Sequence, residues 1–193
     1  MKNIKSTLLI VGLIALAVGW RIINHKYQFA PNLELVTLVS VIAALSLGWR
    51  MALIVPLATM AISDAIIGNT SILFFTWGSF ALIGLSALVL RKLNDRPKPQ
   101  ILASAGFVLL SSLAFFVITN FGVWAQGWYP ATWAGLVECY QAAIPFYRTM
   151  LIGNVIMVPV AVAVYQYVKV RQAARLSVVD TLVGDEPVVK VVL

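Results

Sequence analysis

NFGVWAQGWYPATWAGLVECYQAAIPFYR, residues 120–148, separates two apolar runs that are each long enough to cross a bilayer. It holds the one cysteine of the chain, Cys139, together with an acid, Glu138, and a base, Arg148. It is also crowded with rings: Trp124, Trp128, Tyr129, Trp133, Tyr140 and Tyr147. The runs on either side, 101–119 and 149–168, decide the fold class. A hydrocarbon core of about 30 Å needs ~20 helical residues, and both runs meet that length.

Four more runs of the same kind precede them, at 7–23, 34–47, 51–67 and 71–90. The expected fold is all-α, a polytopic membrane protein of six transmembrane helices. The second and third runs are short and separated only by Gly48, Trp49 and Arg50. They are expected to form a tight hairpin of helices that fall short of the full thickness. Pro56 and Pro159 fall inside spans, where neighbouring helices can satisfy the freed backbone groups.

Composition agrees with this class. The 193 residues are 61% hydrophobic and 11% charged, with a mean hydropathy of +0.94. Soluble domains are nearer half apolar and a quarter charged. The length suits one domain: a six-helix transmembrane unit over 1–175 and a cytoplasmic tail over 176–193. Lys2 and Lys5 before the run 8–20 resemble the start of a secretory signal. No small-residue cleavage site follows, since the run ends in Trp20 and Arg21, so an uncleaved first helix is expected. The tail LSVVDTLVGDEPVVKVVL alternates enough for a short strand but is too polar and interrupted for a seventh span, and the simpler expectation is a loosely ordered cytoplasmic tail.

A net charge of +7 raises the question of nucleic acid. Here the basic residues cap the apolar runs instead of forming a face, which excludes that partner and points to the bilayer. Ten of them (Lys2, Lys5, Arg50, Arg91, Lys92, Arg96, Lys98, Lys169, Arg171, Arg175) fall on one side, against Arg21, Lys26 and Arg148 on the other. By the positive-inside rule both termini are cytoplasmic, N-in and C-in, and an even span count agrees by placing them on one side. The segment 120–148, the loop 25–33 and the turn around Asp64, Gly68 and Asn69 then lie outside, and 91–100 is a cytoplasmic connector.

Asp64 sits near the outer end of a span, where a charge needs a partner or water. It is expected either to contact a substrate at the mouth of a cavity or to pair with Arg148, Arg21 or Lys26. The rings of 120–148 suit a membrane interface and equally the walls of a site for a flat ligand. Glu138 and Gln141 share a helix face if that segment is helical. Cys139 is more simply a small buried hydrophobe than a reactive thiol. Asn32 and Glu34, after Pro31, can cap the second helix or hang over the cavity. The candidate substrate contacts are thus Asn32, Asp64, Asn69, Asn120, Trp124, Trp128, Tyr129, Glu138, Tyr140 and Arg148. Gly12, Ala15 and Gly19 form a small-residue stripe for close helix contact, within the chain or with a partner. No nucleophile set, HExxH or phosphate loop is present. The expectation is therefore no enzyme, and no metal or cofactor.

FAPNLELVTLVSV, VPLATMAISDAIIGN and NFGVWAQGWYPATWAGLVECYQAAIPFYRTMLIGN, which cover most of residues 29–154, resemble the substrate-binding S components of energy-coupling-factor (ECF) transporters. The closer likeness is to a group of bacterial membrane proteins related to them. The resemblance implies a subunit of the bacterial cytoplasmic membrane that binds a vitamin, a precursor or a metal from outside. Loops after the first, third and fifth helices cover the ligand in that family. Partners would be a transmembrane coupling subunit and cytoplasmic ATPases, with Ala15 and Gly19 matching the family's docking stripe. Nickel and cobalt members begin with Met and histidines, and this chain begins Met1-Lys2-Asn3. A corrinoid-binding branch uses a cysteine, to which Cys139 is a poorly placed counterpart. The alternative reading is a non-transport scaffold or assembly subunit of the cell envelope, with the stripe as its partner surface.

Overall fold

The structure, a computed structural model, describes residues 2–184, with side chains over 4–175. It is all-α, and no strand occurs among the described residues. The helices are α1 (Lys2–Tyr27), α2 (Val36–Leu47), α3 (Trp49–Ile67), α4 (Leu73–Ser86), α5 (Pro97–Ala125) and α6 (Trp133–Gly184). α4 tightens directly into a 3-10 run, Ala87–Leu93. Five of these units are long and apolar enough to cross a membrane, and α2 is the short one. The chain is a multi-pass membrane protein.

The 12 residues of α2 rise about 18 Å, well short of the hydrocarbon core. The preceding loop makes up the difference by turning back along α1. Trp20 Nε1 donates to Leu33 O at 2.8 Å, and Asn24 Nδ2 donates to Ala30 O at 2.8 Å. Asn32, at φ 64°, takes the left-handed conformation that asparagine tolerates better than most residues. The loop backbone is thus hydrogen-bonded to protein, which irregular chain at membrane depth requires. Eight of the 12 residues of α2 are buried, so it is a central element that the others surround. Gly48, at φ 89°, ends α2 and lets α3 start at once. The expected hairpin forms, but only α2 falls short; the 19 residues of α3 suffice to span.

The structure also sharpens three readings. Of the loop-and-helix segment expected over 120–148, helix takes most: α5 runs to Ala125 and α6 begins at Trp133, leaving a turn of 126–132. Rings and polar residues at a water interface are compatible with helix, so composition there signalled the boundary and not the conformation. The connector 91–100 shrinks to 94–96, because the 3-10 run reaches Leu93 and Pro97 starts α5. Pro at a helix start loses nothing, since that N–H has no intrahelical acceptor. The tail, expected to be loosely ordered with a short strand as the alternative, instead continues α6 as helix over 176–184, and 185–193 lie outside the described residues.

Two features hold the bundle at its basic end. Gln100 Nε2 donates to Leu90 O (2.8 Å) and Asn94 Oδ1 (2.6 Å), and Gln166 Nε2 donates to Gln100 Oε1 (2.5 Å). Lys169 Nζ binds Asn94 O and Asp95, and its hydrogen bond and charge hold the Asp95 carboxyl below its usual range. This network joins α5, α6 and the 3-10 run around a dry apolar cluster that includes Val41, Leu45, Val108 and Val158.

Candidate binding site

At the aromatic end, α4, α5, α6 and the loop after α1 leave a cleft of about 220 Å³. Its rings are Phe115, Phe116, Phe146 and Tyr147, and its polar groups are Asn32, Thr76, Thr119, Asn120 and the Tyr147 hydroxyl. Two notches set its walls. On α5, Gly122 receives the Phe75 ring, whose nearest atom lies 2.4 Å from where a Cβ would stand. That contact brings the start of α4, with Ile72 and Thr76, to the cleft. On α6, Gly153 receives Leu33, whose Cδ1 lies 2.2 Å from the corresponding Cβ position. That contact carries the loop, with Asn32 and Glu34, against α6.

The second notch has a consequence for charge. Glu34, the residue after Leu33, is buried between helices with 7% of its surface exposed. Its Oε2 accepts the Thr37 N–H at 2.8 Å, which caps α2, and its Oε1 accepts Asn154 Nδ2 at 2.9 Å. The same Nδ2 reaches Ser112 Oγ at 3.3 Å, near the middle of α5. Asn154 is one helical turn from Met150, and Ser112 one turn from Phe116, both lining residues, so this cluster underlies the cleft. Among the described residues nothing donates to Asn154 Oδ1, which is fully buried. Among the described residues, a buried carboxylate with no ion-pair partner and a buried acceptor without a donor therefore lie next to each other.

Asp64 is in a different place. Arg21 donates to its Oδ1 at 2.5 Å, Trp77 Nε1 donates to Oδ2 at 2.7 Å, and Asn69 Nδ2 donates to the same oxygen. Arg21 also donates to Ser63 Oγ at 2.7 Å. The carboxylate is thus satisfied by α1, α4 and the turn after α3, and it does not line the cleft. Its cation is Arg21, one of the three candidates, while Arg148 is exposed on α6.

Of the other expected contacts, Asn32 and Asn120 line the cleft, and so does Tyr147 from the aromatic set. The rest lie elsewhere. Trp124 Nε1 donates to Pro130 O at 2.9 Å, closing the turn, and Trp128 is exposed. Tyr140 donates to Val117 O at 2.7 Å and packs edge-on against Phe116, outside the cleft. Tyr129 lies in the turn and Glu138 on an exposed face of α6. Cys139 is buried, its Sγ 3.4 Å from Asn120 O. Sequence reasoning missed Thr76, Phe115, Phe116, Thr119 and the pair Ser112–Asn154. The available signal was a polar residue inside an apolar span, which Ser112 and Asn154 both are.

The sequence profile of a family of unknown function (DUF6580) matches residues 1–176. The chain belongs to that family. Comparison with curated proteins and with solved structures gave no match. The match spans all six helices up to the basic end of α6, so the cleft, the Glu34 cluster and the Asp64 hub all lie within it. Gly12 and Gly19 have open space where a Cβ would stand, and Gly12 and Ala15 are exposed, so the small-residue stripe is not spent on packing within the chain.

Proposed function

We propose that this protein is the substrate-binding subunit of an ECF-type uptake transporter in a bacterial cytoplasmic membrane, taking up a vitamin, a vitamin precursor or a similar small ring compound. The observation that carries the reading is the aromatic-walled cleft at the end away from the basic residues. With the basic end cytoplasmic by the positive-inside rule, the cleft opens outward. An apolar cavity near 150 Å³ holds one benzene ring, so 220 Å³ suits one substituted ring or a small fused pair. Rings supply flat walls and the amides and hydroxyls fix orientation.

The exposed stripe on α1 supports a helical partner, for which a coupling subunit bearing ATPases is the natural candidate. Replacing both Gly12 and Gly19 by Leu should leave the thermal midpoint nearly unchanged, because both positions are open and Leu is the better helix former. Uptake of the ligand by cells should nevertheless fall sharply. A double variant that keeps full uptake would remove the stripe as a docking surface.

The cleft itself is tested by filling it. Ala143→Trp places an indole where a ligand would sit. Purified wild-type protein should be stabilised by about 2.7 kcal/mol at a ligand concentration of 100 Kd, and the variant by nothing measurable. Screening a metabolite panel by thermal shift, together with mass spectrometry of molecules retained on gentle purification, supplies the ligand. Folded wild-type protein that retains and responds to nothing across the panel would count for the scaffold reading, in which the exposed stripe serves envelope assembly.

A further inference from the structure

The hydrogen-bond directions around the cleft specify more than its size. Thr119 spends its hydroxyl proton on Phe115 O at 2.8 Å, and Thr76 spends its own on Leu73 O at 3.1 Å. Asn120 donates an amide proton to Phe116 O at 2.8 Å. Thr119 and Thr76 are tied to their own helices through their single donors, which leaves them only lone pairs to offer, while Asn120 keeps its carbonyl oxygen and a second N–H. Asn154 Oδ1, buried beneath the floor, is a further acceptor without a donor. No Lys, Arg or His lines the cleft. The ion pairs among the described residues are Arg21–Asp64 and Lys169–Asp95, so the Glu34 carboxylate under the floor is balanced only by neutral donors.

A low-dielectric cleft with threonine and amide acceptors, no cation in its lining and a buried carboxylate beneath it repels anions and attracts N–H donors, most of all charged ones. Asn32 and the Tyr147 hydroxyl can still donate to a neutral acceptor on the same ligand. We infer that the cleft takes a flat nitrogen base, an amidine or amino-substituted heterocycle that carries several N–H groups and is cationic or readily protonated. The inference rests on the uptake reading for the location of the site. The N–H groups face Thr119 and Asn120, with the Asn154–Glu34 pair acting from beneath the floor, and the ring lies among Phe115, Phe116 and Tyr147. Carboxylate- or phosphate-bearing compounds are excluded from the same space by the absence of a cation.

Benzamidine, benzamide and benzoate test this directly, since the three share one ring and shape while the substituent is cationic, neutral or anionic. Each is added at pH 7 to the purified full chain in detergent, and the thermal midpoint is read. Benzamidine at about ten times its Kd should raise the midpoint by about 3–5 °C, benzamide less, and benzoate not at all. Glu34→Gln should reduce the benzamidine shift, measured from the variant's own midpoint, to that of benzamide. Thr119→Val, which removes an acceptor without touching Glu34, should also reduce it, and Ala143→Trp should abolish it. A shift from benzoate as large as that from benzamidine overturns the ligand class but keeps the cleft as a site. A benzamidine shift that survives Ala143→Trp, or no shift from any of the three probes, overturns the inference and the cleft together.

Discussion

Asp64→Asn should lower the thermal midpoint of the purified protein by about 6–12 °C, corresponding to about 2–4 kcal/mol for a chain of this size. The carboxylate has 6% of its side-chain surface exposed and accepts from Arg21, Trp77 and Asn69. An amide of the same shape cannot accept from all three, and it leaves the guanidinium without a counter-charge. The Arg21 side chain is 20% exposed and can shift toward the headgroups, which places the expectation below the full cost of breaking a buried pair. Arg21→Met should cost a similar amount, because it strands the more deeply buried partner. The double variant should cost less than the two singles added together, by about 1–3 kcal/mol.

That cycle also decides what Asp64 is for. In the structure it fastens α1 and α4 to the C-terminal end of α3, and it does not line the cleft. Ligand-induced stabilisation, measured from each variant's own midpoint, should therefore persist in Asp64→Asn. A variant that folds with an unchanged midpoint but no longer responds to ligand would return Asp64 to the substrate site.

Gly84→Ala should be at least as damaging, with a loss of about 3 kcal/mol or more and low yield of folded protein. A Cβ at Gly84 would stand 1.9 Å from Ala52 O and 3.0 Å from Ala52 C. Those are backbone atoms of α3, so no side-chain rotation relieves the clash and the two helices must separate. The reason for this close approach lies in α3. Pro56 has no N–H to give to Ala52 O four residues back, so that carbonyl is free to lean toward α4, where a glycine admits it. The contact is of the Cα–H···O kind that recurs where membrane helices meet at small residues. Pro56→Ala supplies the missing N–H and draws the carbonyl back into α3. It should cost little alone and should recover part of the loss in Gly84→Ala. Equal stability of wild type and Gly84→Ala, read by thermal midpoint and by gel-filtration profile, would show that the helices are not held this tightly.

Legibility in the sequence followed the length of the local signal. Helix class, the α2–α3 hairpin and the central position of Gly48 were all readable, because apolar runs and their breaks are properties of contiguous residues. The segment 120–148 was legible as aromatic and part-helical, but the place where α5 ends and α6 begins was not, since a water-facing helix and a loop can share one composition. Asn32, Asn120 and Tyr147 line the cleft. Trp124 and Tyr140 did not, because each found a backbone carbonyl at 2.9 and 2.7 Å that fixes it elsewhere. Both hydrogen bonds depend on how the α5–α6 hairpin closes, which no local pattern encodes.

Glu34 marks the boundary between the two kinds of information. The sequence by itself determined that the chain is a helical membrane protein, that its basic residues gather at one end, and that a carboxylate follows Pro31 where a helix needs a cap. Each of these rests on hydropathy, charge or backbone chemistry within a few residues. Only the tertiary structure decided that the loop turns inward along α1, that Leu33 enters the notch at Gly153, and that Glu34 meets Asn154, 120 residues away. Burying a carboxylate is acceptable only where distant donors converge on it, and convergence of that kind is a property of packed helices, not of the sequence around either residue.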